Sequence, residues 1–273
     1  MILVTGGSGL VGNHLKEILP EAVFLSSKDY NLIDITQSNK MIKDYNPDTV
    51  VHLAARVGGL LDNINRPVNY FEENILMNTN VIKSCYDFGV SNFITTLSTC
   101  IYPDIVNRYP MKETQMFDGP PPNGNFHYAI AKRAMLAQIK AYNKQYDKKW
   151  SCLIPCNLYG EYDKYEEHHS HFVGALIKKI YQSKNNEIEL WGTGKPLRQF
   201  MYGGDLARVI KYMILNSISG IYNVAPDYVH SINEIANIAL KSCGKDDLNI
   251  TYDNTKPDGQ YRKDVDSSKL LDM

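Results

Sequence analysis

Through the first 160 positions, short runs of β-branched and aliphatic residues alternate with longer amphipathic segments. That alternation predicts βα units building a parallel sheet with helices on both faces. Strands are expected at residues 2–4, 22–25, 49–53, 92–97 and 150–154, and helices at 9–19, 36–45, 69–88 and 127–146, with Pro47 and Gly89 punctuating two helix ends. The class is α/β, a doubly wound parallel sheet. From residue 155 to 170 the chain is rich in Tyr, Asp, Glu and His and has no clear period. A helix at about 171–183, a strand at 188–191 and a Gly-Thr-Gly-Lys-Pro turn at 192–196 follow. The segments 205–215 and 220–224 again read as a sheet-covering helix and a core strand, so the chain is expected to leave the first unit and come back to it. Ser231 with Glu234 three residues on forms a capping box at the start of a helix over 231–241. The expected division is a domain of residues 1–160 joined by 203–225, and a smaller α/β lobe of 161–202 and 226–273.

Composition narrows the partners more than the fold. With 273 residues, 44% of them hydrophobic, the chain can bury a large core, and its formal net charge of -1 offers no basic surface for nucleic acid. No stretch approaches the apolar length that a bilayer requires, so no membrane partner is expected. Met1-Ile2-Leu3-Val4-Thr5-Gly6 is apolar too briefly for a leader and reads as a first strand. Cys85, Cys100, Cys152, Cys156 and Cys243 are an odd set without paired zinc-type spacing, which fits reduced thiols in the cytoplasm.

Gly6-Gly7-Ser8-Gly9-Leu10-Val11-Gly12 follows the first strand and opens a helix. Glycines let backbone approach a pyrophosphate closely, and the helix N-terminus presents free N–H groups to the anion. The string therefore predicts a dinucleotide site built on Gly6, Gly9 and Gly12; a tight βα turn with nothing bound is the alternative. At the end of the second strand, Leu25-Ser26-Ser27-Lys28-Asp29 offers hydroxyls and an ammonium for a 2′-phosphate, so Ser27 and Lys28 favour NADP. The direction in which Asp29 points is left open, and Lys28 could equally be a solvated loop residue.

Tyr128 and Lys132 are spaced by four and share one helix face. A phenol ionises near pH ~10, and a nearby ammonium would lower that value, giving an acid for a carbonyl while a nicotinamide exchanges a hydride. Tyr252 with Lys256 has the same spacing, but Pro257 and a polar context require no helix there. One strand before Tyr128, Leu97-Ser98-Thr99-Cys100-Ile101-Tyr102-Pro103 sets two hydroxyls and a thiol in consecutive positions. Taken alone, Ser98 and Thr99 could cap a turn and Cys100 could be a small buried hydrophobe.

The glycine turn, Ser98 and the Tyr128/Lys132 pair together resemble the extended short-chain dehydrogenase/reductases, whose triad is Ser or Thr, Tyr and Lys. A narrower resemblance, to the GDP-L-fucose synthases, is carried by His52-Leu53-Ala54-Ala55, Val57-Gly58-Gly59, Ser98 through Pro103, and Tyr128-Ala129-Ile130-Ala131-Lys132. It continues through Pro155, Asn157-Leu158-Tyr159-Gly160, Ser170-His171, Trp191-Gly192-Thr193-Gly194, Arg198-Gln199-Phe200 and Thr255-Lys256-Pro257-Asp258-Gly259, in order along nearly the whole chain.

That resemblance implies a Rossmann sheet with a substrate-binding lobe. It also implies NADPH-dependent 3,5-epimerisation and 4-keto reduction of GDP-4-keto-6-deoxy-mannose. Ser98 and Tyr128 would hold the C4 carbonyl, Tyr128 would donate its proton, and Lys132 would tune Tyr128 and bind the nicotinamide ribose. Cys100 would be the base at C3 and C5, and His171 the acid on the opposite face. Leu10, Val11, Leu53, Ala54, Ala55, Tyr128, Lys132 and His171 are implied to line the NADP site, and Asn157, Lys179, Trp191, Arg198 and Lys263 the nucleotide-sugar site. Taken singly, Lys179 and Lys263 each read as exposed, solvated charges. A homodimer is implied, pairing the helices at 69–88 and 127–146.

The chain departs from the family's Pro-His-Asp-Asn-Phe at Glu161-Tyr162-Asp163-Lys164-Tyr165, and from a common proline at Gly174, both in the expected sugar-site wall. A UDP- or dTDP-hexose 4-epimerase or 4-reductase, and a non-catalytic NADP-binding protein, therefore stay open as alternatives. His168, His169 and His171 lack a carboxylate or thiol at ligand spacing, and no metal is expected.

Overall fold

The computed structural model describes residues 1–165, 171–256 and 258–273, so His168, His169, Ser170 and Pro257 lie outside the described residues. Four βα units and a fifth strand open the chain: β1 (Ile2–Thr5), α1 (Leu10–Ile18), β2 (Val23–Leu25), α2 (Ile35–Tyr45), β3 (Thr49–His52), α3 (Leu60–Asn65), α4 (Pro67–Asp87), β4 (Asn92–Thr96), α5 (Phe126–Tyr146) and β5 (Ser151–Pro155). There follow β6 (Asn157–Tyr159), α6 (Phe172–Gln182), β7 (Glu187–Trp191), β8 (Leu197–Arg198), β9 (Phe200–Tyr202), α7 (Gly203–Leu215) and β10 (Ile221–Val224). The chain closes with β11 (His230–Ser231), α8 (Ile232–Ser242), β12 (Asn249–Asp253), β13 (Arg262–Lys263) and α9 (Ser268–Leu271).

The main sheet has the order β10-β5-β4-β3-β1-β2, and every pairing in it is parallel. Consecutive residues of its strands enter opposite cores, as a period of two requires. Leu3, Val50, Phe93 and Cys152 face α2, α4 and α5, while Val4, Val51, Ile94 and Leu153 face α1 and α7. Full burial of each aliphatic side chain contributes roughly 1.5–3 kcal/mol, so both faces hold the carboxyl ends of the strands in register.

The expected return is present: β10 lies beside β5 and α7 packs on α1, where Lys211 Nζ donates to Ile18 O at 2.7 Å. A third apolar cluster joins α6, β7 and α8 through Leu176, Ile180, Ile188, Leu190, Ala236 and Leu240, with β12 parallel to β7. The capping box of α8 is formed in both directions, Glu234 N donating to Ser231 Oγ at 3.1 Å and Ser231 N donating to Glu234 Oε2 at 2.7 Å.

Several short elements were not anticipated, β8, β9, β11, β12, β13 and α9 among them, and two are instructive. Helix α3 begins directly after Gly58-Gly59 without a side-chain cap, so no local signal announces it. Strand β6 lies in the stretch read as aperiodic, because it is fixed by parallel pairing with β9 rather than by its own pattern.

Candidate active site

Strand β1 has β2 on one side and β3 on the other, and the crevice outside the carboxyl ends at such a switch point is where open parallel sheets take ligands. A cleft of about 680 Å³ opens there. It is lined from the expected dinucleotide set by Gly6, Gly9, Leu10, Val11, Gly12, Ser27, Leu53, Ala54 and Ala55. From the expected catalytic set it is lined by Ser98, Cys100, Tyr128, Lys132 and His171, and Asn157 joins them from the substrate set.

The glycine turn leaves backbone open to the cleft where side chains would block it. Gly6 has φ +72, and a Cβ there would lie 2.6 Å from Ala54 N. At Gly12 a Cβ would lie 2.5 Å from Gly6 O, so helix α1 could not approach its own loop. The N-cap of α1 is Gly9, which supplies no side-chain acceptor, leaving the first N–H groups of the helix to whatever anion the cleft receives. Asp29 turns back on Ser26, accepting from its backbone N at 2.7 Å and its Oγ at 2.8 Å, and these two bonds hold its carboxyl below its ordinary value. Ser27 faces the cleft; Lys28 does not line it.

Ser98 does cap a turn, its Oγ accepting from Cys100 N at 3.2 Å. That single 3₁₀ turn is what swings Cys100 into the cleft while Thr99 and Ile101 stay buried. Two distant groups anchor the turn: Arg133 Nε donates to Ile101 O at 2.7 Å, and the Tyr102 hydroxyl donates to buried Asn223 Oδ1 at 2.7 Å.

Tyr128 and Lys132 lie one turn apart near the start of α5, and Lys132 is 2% exposed. The expected lowering of the phenol is not found. Burial, with Cys100 and Tyr70 beside it, pushes Tyr128 well above its ordinary value. Lys132 gives its ammonium to Thr96 O at 2.8 Å and sits 5.9 Å from the Tyr128 ring centre, and burial brings it down to about 8. Desolvation therefore dominates at Tyr128, which is held as the protonated, donating form.

The cysteines separate by environment. Burial carries Cys152 and Cys156 up to about 12. Burial also pushes the Cys100 thiol up, but there it is outweighed by the Lys263 ammonium, the Ser98 hydrogen bond and the Arg198 guanidinium, and Cys100 ends below its ordinary value. Lys263 Nζ lies 3.0 Å from Cys100 Sγ and is 9% exposed, contrary to the solvated charge it suggests in isolation.

His171 caps the start of α6, and its Nδ1 is 3.2 Å from Asp163 Oδ1. Asp163 is 4% exposed, and among the described residues its Oδ2 has no hydrogen-bond partner. The remaining substrate candidates lie apart. Lys179 is exposed and donates to Glu189 O at 2.7 Å, and Trp191 stands outside the cleft beneath Lys256. Arg198 sits next to Lys263 across β8 and β13, its Nη1 donating to Leu197 O at 2.8 Å.

Sequence reasoning missed Asp163 and Gln199. Asp163 lay in a segment noted only for departing from a pattern, although an acid eight residues before His171 was readable. Gln199 is 2% exposed and clamps β13 beside β8, donating to Pro226 O at 2.7 Å and accepting from Val265 N at 2.9 Å. Its partners are remote in sequence and gave no signal.

Residues 2–225 match the model of the NAD dependent epimerase/dehydratase family. A GDP-L-fucose synthase of Dictyostelium discoideum is 38% identical, over 100% of this chain and 88% of that protein. A GDP-L-colitose synthase of Yersinia pseudotuberculosis is 33% identical, over 100% of this chain and 91% of its own. A crystal structure of a GDP-L-fucose synthetase from Naegleria fowleri bound to NADP superposes with a TM-score of 0.90 at 35% identity, covering 99% of this chain and 85% of that one.

Proposed function

The chain belongs to the NAD dependent epimerase/dehydratase family and, within it, to the GDP-L-fucose synthases, and from that premise we propose that it converts GDP-4-keto-6-deoxy-D-mannose to GDP-L-fucose. The observation carrying this reading is the convergence of Ser98, Cys100, Tyr128, Lys132 and His171 on one cleft whose floor is the glycine turn.

NADPH supplies the hydride. Gly6, Gly9 and Gly12 with the N-terminus of α1 hold its pyrophosphate, Leu53, Ala54 and Ala55 form the opposite wall, and Ser27 stands at the ribose end. Ser98 and Tyr128 bind the C4 oxygen of the sugar, and Tyr128 delivers its proton there as C4 is reduced. Before reduction, the carbonyl acidifies the neighbouring C–H bonds because an enolate can form. Cys100 removes the proton at C3 or C5, and His171 returns one on the opposite face. The lobe contributed by the described residues of 161–202 and 226–273 receives the nucleotide-sugar, with Asn157 lining the cleft and Lys263 3.0 Å from Cys100 Sγ.

The enzyme works as a homodimer. Val68, Phe71 and Leu76, exposed apolar residues of α4, mark the face through which α4 and α5 would pair with a second copy. No helix among the described residues is long and apolar enough to cross a membrane, and the unpaired cysteines suit the reducing cytoplasm.

Incubation of the keto-sugar with the protein in deuterated water without NADPH should place solvent deuterium at C3 and C5. Addition of NADPH should then yield a product identified by NMR as GDP-L-fucose. Absence of exchange would remove the epimerase half of the reading, and a colitose product would reassign the sugar.

A further inference from the structure

Lys263 carries its ammonium into a site with little water. Among the described residues it forms no ion pair with an acid, and the neighbouring Asp264 is taken by Arg262 through bonds of 2.6 and 2.9 Å. A buried cation without a counter-charge is costly. The ionisable group within reach is Cys100, whose sulfur is 3.0 Å from Nζ. The position is built from remote parts of the chain: β13 pairs with β8 in the register Lys263↔Arg198, and Gln199 locks the strands together. The groups acting on the thiol are Lys263, Arg198, Ser98 and, across the cleft, Tyr128. Cys156 also feels Lys263, yet without a hydrogen bond from it the sulfur there stays in the high range set by burial.

We propose that Lys263 is the resident counter-cation of the Cys100 thiolate, so that the epimerising base meets the sugar already deprotonated, and that Lys263 is a positioning residue rather than a ligand of the substrate diphosphate. This rests on Cys100 being the base. The balance is simple: the thiolate takes the proton from carbon and becomes a thiol, the electron pair passes to the enolate, and His171 gives a proton to the opposite face. One inversion thus leaves Cys100 protonated and His171 a proton short, and both must exchange with solvent before the second. Lys263 drives the first half of that reset by favouring loss of the thiol proton.

The test is a pH titration of thiolate absorbance near 240 nm on the whole protein, in the wild type, Cys100→Ser, Lys263→Met and Lys263→Arg. The wild type should show a thiolate, missing in Cys100→Ser, that ionises below an ordinary thiol. In Lys263→Met its midpoint should rise by roughly one to three pH units, the range for loss of an adjacent opposite charge, and Lys263→Arg should restore most of the difference. NADPH binding monitors folding of each variant. An unchanged midpoint in Lys263→Met with a raised KM for the nucleotide-sugar would overturn the proposal in favour of a diphosphate ligand. Should Lys263→Met fail to bind NADPH, a wild-type Cys100 that titrates at or above pH ~8.5 overturns it without the variant. Persistence of C3 and C5 exchange in Cys100→Ser is a separate result that defeats the base assignment and leaves the titration untouched.

Discussion

Acid should weaken this fold through His52, and the size of the effect can be worked out. His52 ends β3, is 1% exposed, and has Nδ1 2.8 Å from Thr5 Oγ1 and Nε2 3.1 Å from Asn78 Oδ1. With the Asn78 oxygen accepting from Nε2, the Thr5 hydroxyl can donate to Nδ1, so a neutral ring satisfies both contacts. Burial, reinforced by the nearby Lys132 ammonium, depresses its pKa from 6.5 to about 3. The unfolded chain therefore takes up this proton first, and stability is lost as pH falls from 6.5 towards 3. At about 1.4 kcal/mol per pH unit the full window is worth about 5 kcal/mol, and the part between pH 6.5 and 4.5 about 3 kcal/mol. Urea unfolding followed by tryptophan fluorescence, at pH 7.5 and 4.5, should show the wild type losing that much more than His52→Gln, which keeps a neutral donor. Carboxylates titrating in the same interval act on both proteins and cancel. Parallel losses in the two proteins would refute the reasoning and mean that His52 is protonated in place.

Tyr128→Phe should cut reduction by roughly 10²–10⁴-fold while deuterium exchange at C3 and C5 continues, read by NMR on one sample with and without NADPH. Gly6→Ala should weaken NADPH binding about tenfold or more, because its φ of +72 and the 2.6 Å approach of a Cβ to Ala54 N distort the turn; cofactor fluorescence gives the Kd, and a wild-type value would mean that the turn does not hold phosphate. Asp163→Asn should lower the kcat of epimerisation by roughly tenfold or more with KM kept, since the carboxylate behind His171 sets ring orientation; an unchanged kcat would leave Asp163 as a wall residue only.

Much of this was readable along the chain, and the reasons differ by residue. The sheet was legible because both of its faces are buried, so apolar neighbours such as Val50-Val51 and Phe93-Ile94 stand side by side, and its cofactor edge because Gly6 and Gly12 admit no side chain. Tyr128 and Lys132 were legible as a helical pair, yet their electrostatics were misjudged, since spacing says nothing about desolvation. Lys263 could be named but not understood: its partner is 163 residues away, and a lysine beside Arg262 and Asp264 looks like a surface charge until β13 docks. Lys179 and Trp191 were matched by position alone, and their side chains stand outside the cleft that holds Cys100 and Tyr128.

The joining of Cys100 to Lys263 also sets a schedule for the growing polypeptide. A ribosome releases the first five strands of the sheet long before residue 263, and units of this size begin folding as they emerge. Until β13 leaves the exit tunnel and pairs with β8, Cys100 lacks the ammonium that lies 3.0 Å from its sulfur in the folded protein. The glycine turn and its neighbouring strands can thus be in place before the residue proposed to pair with Cys100 has been added.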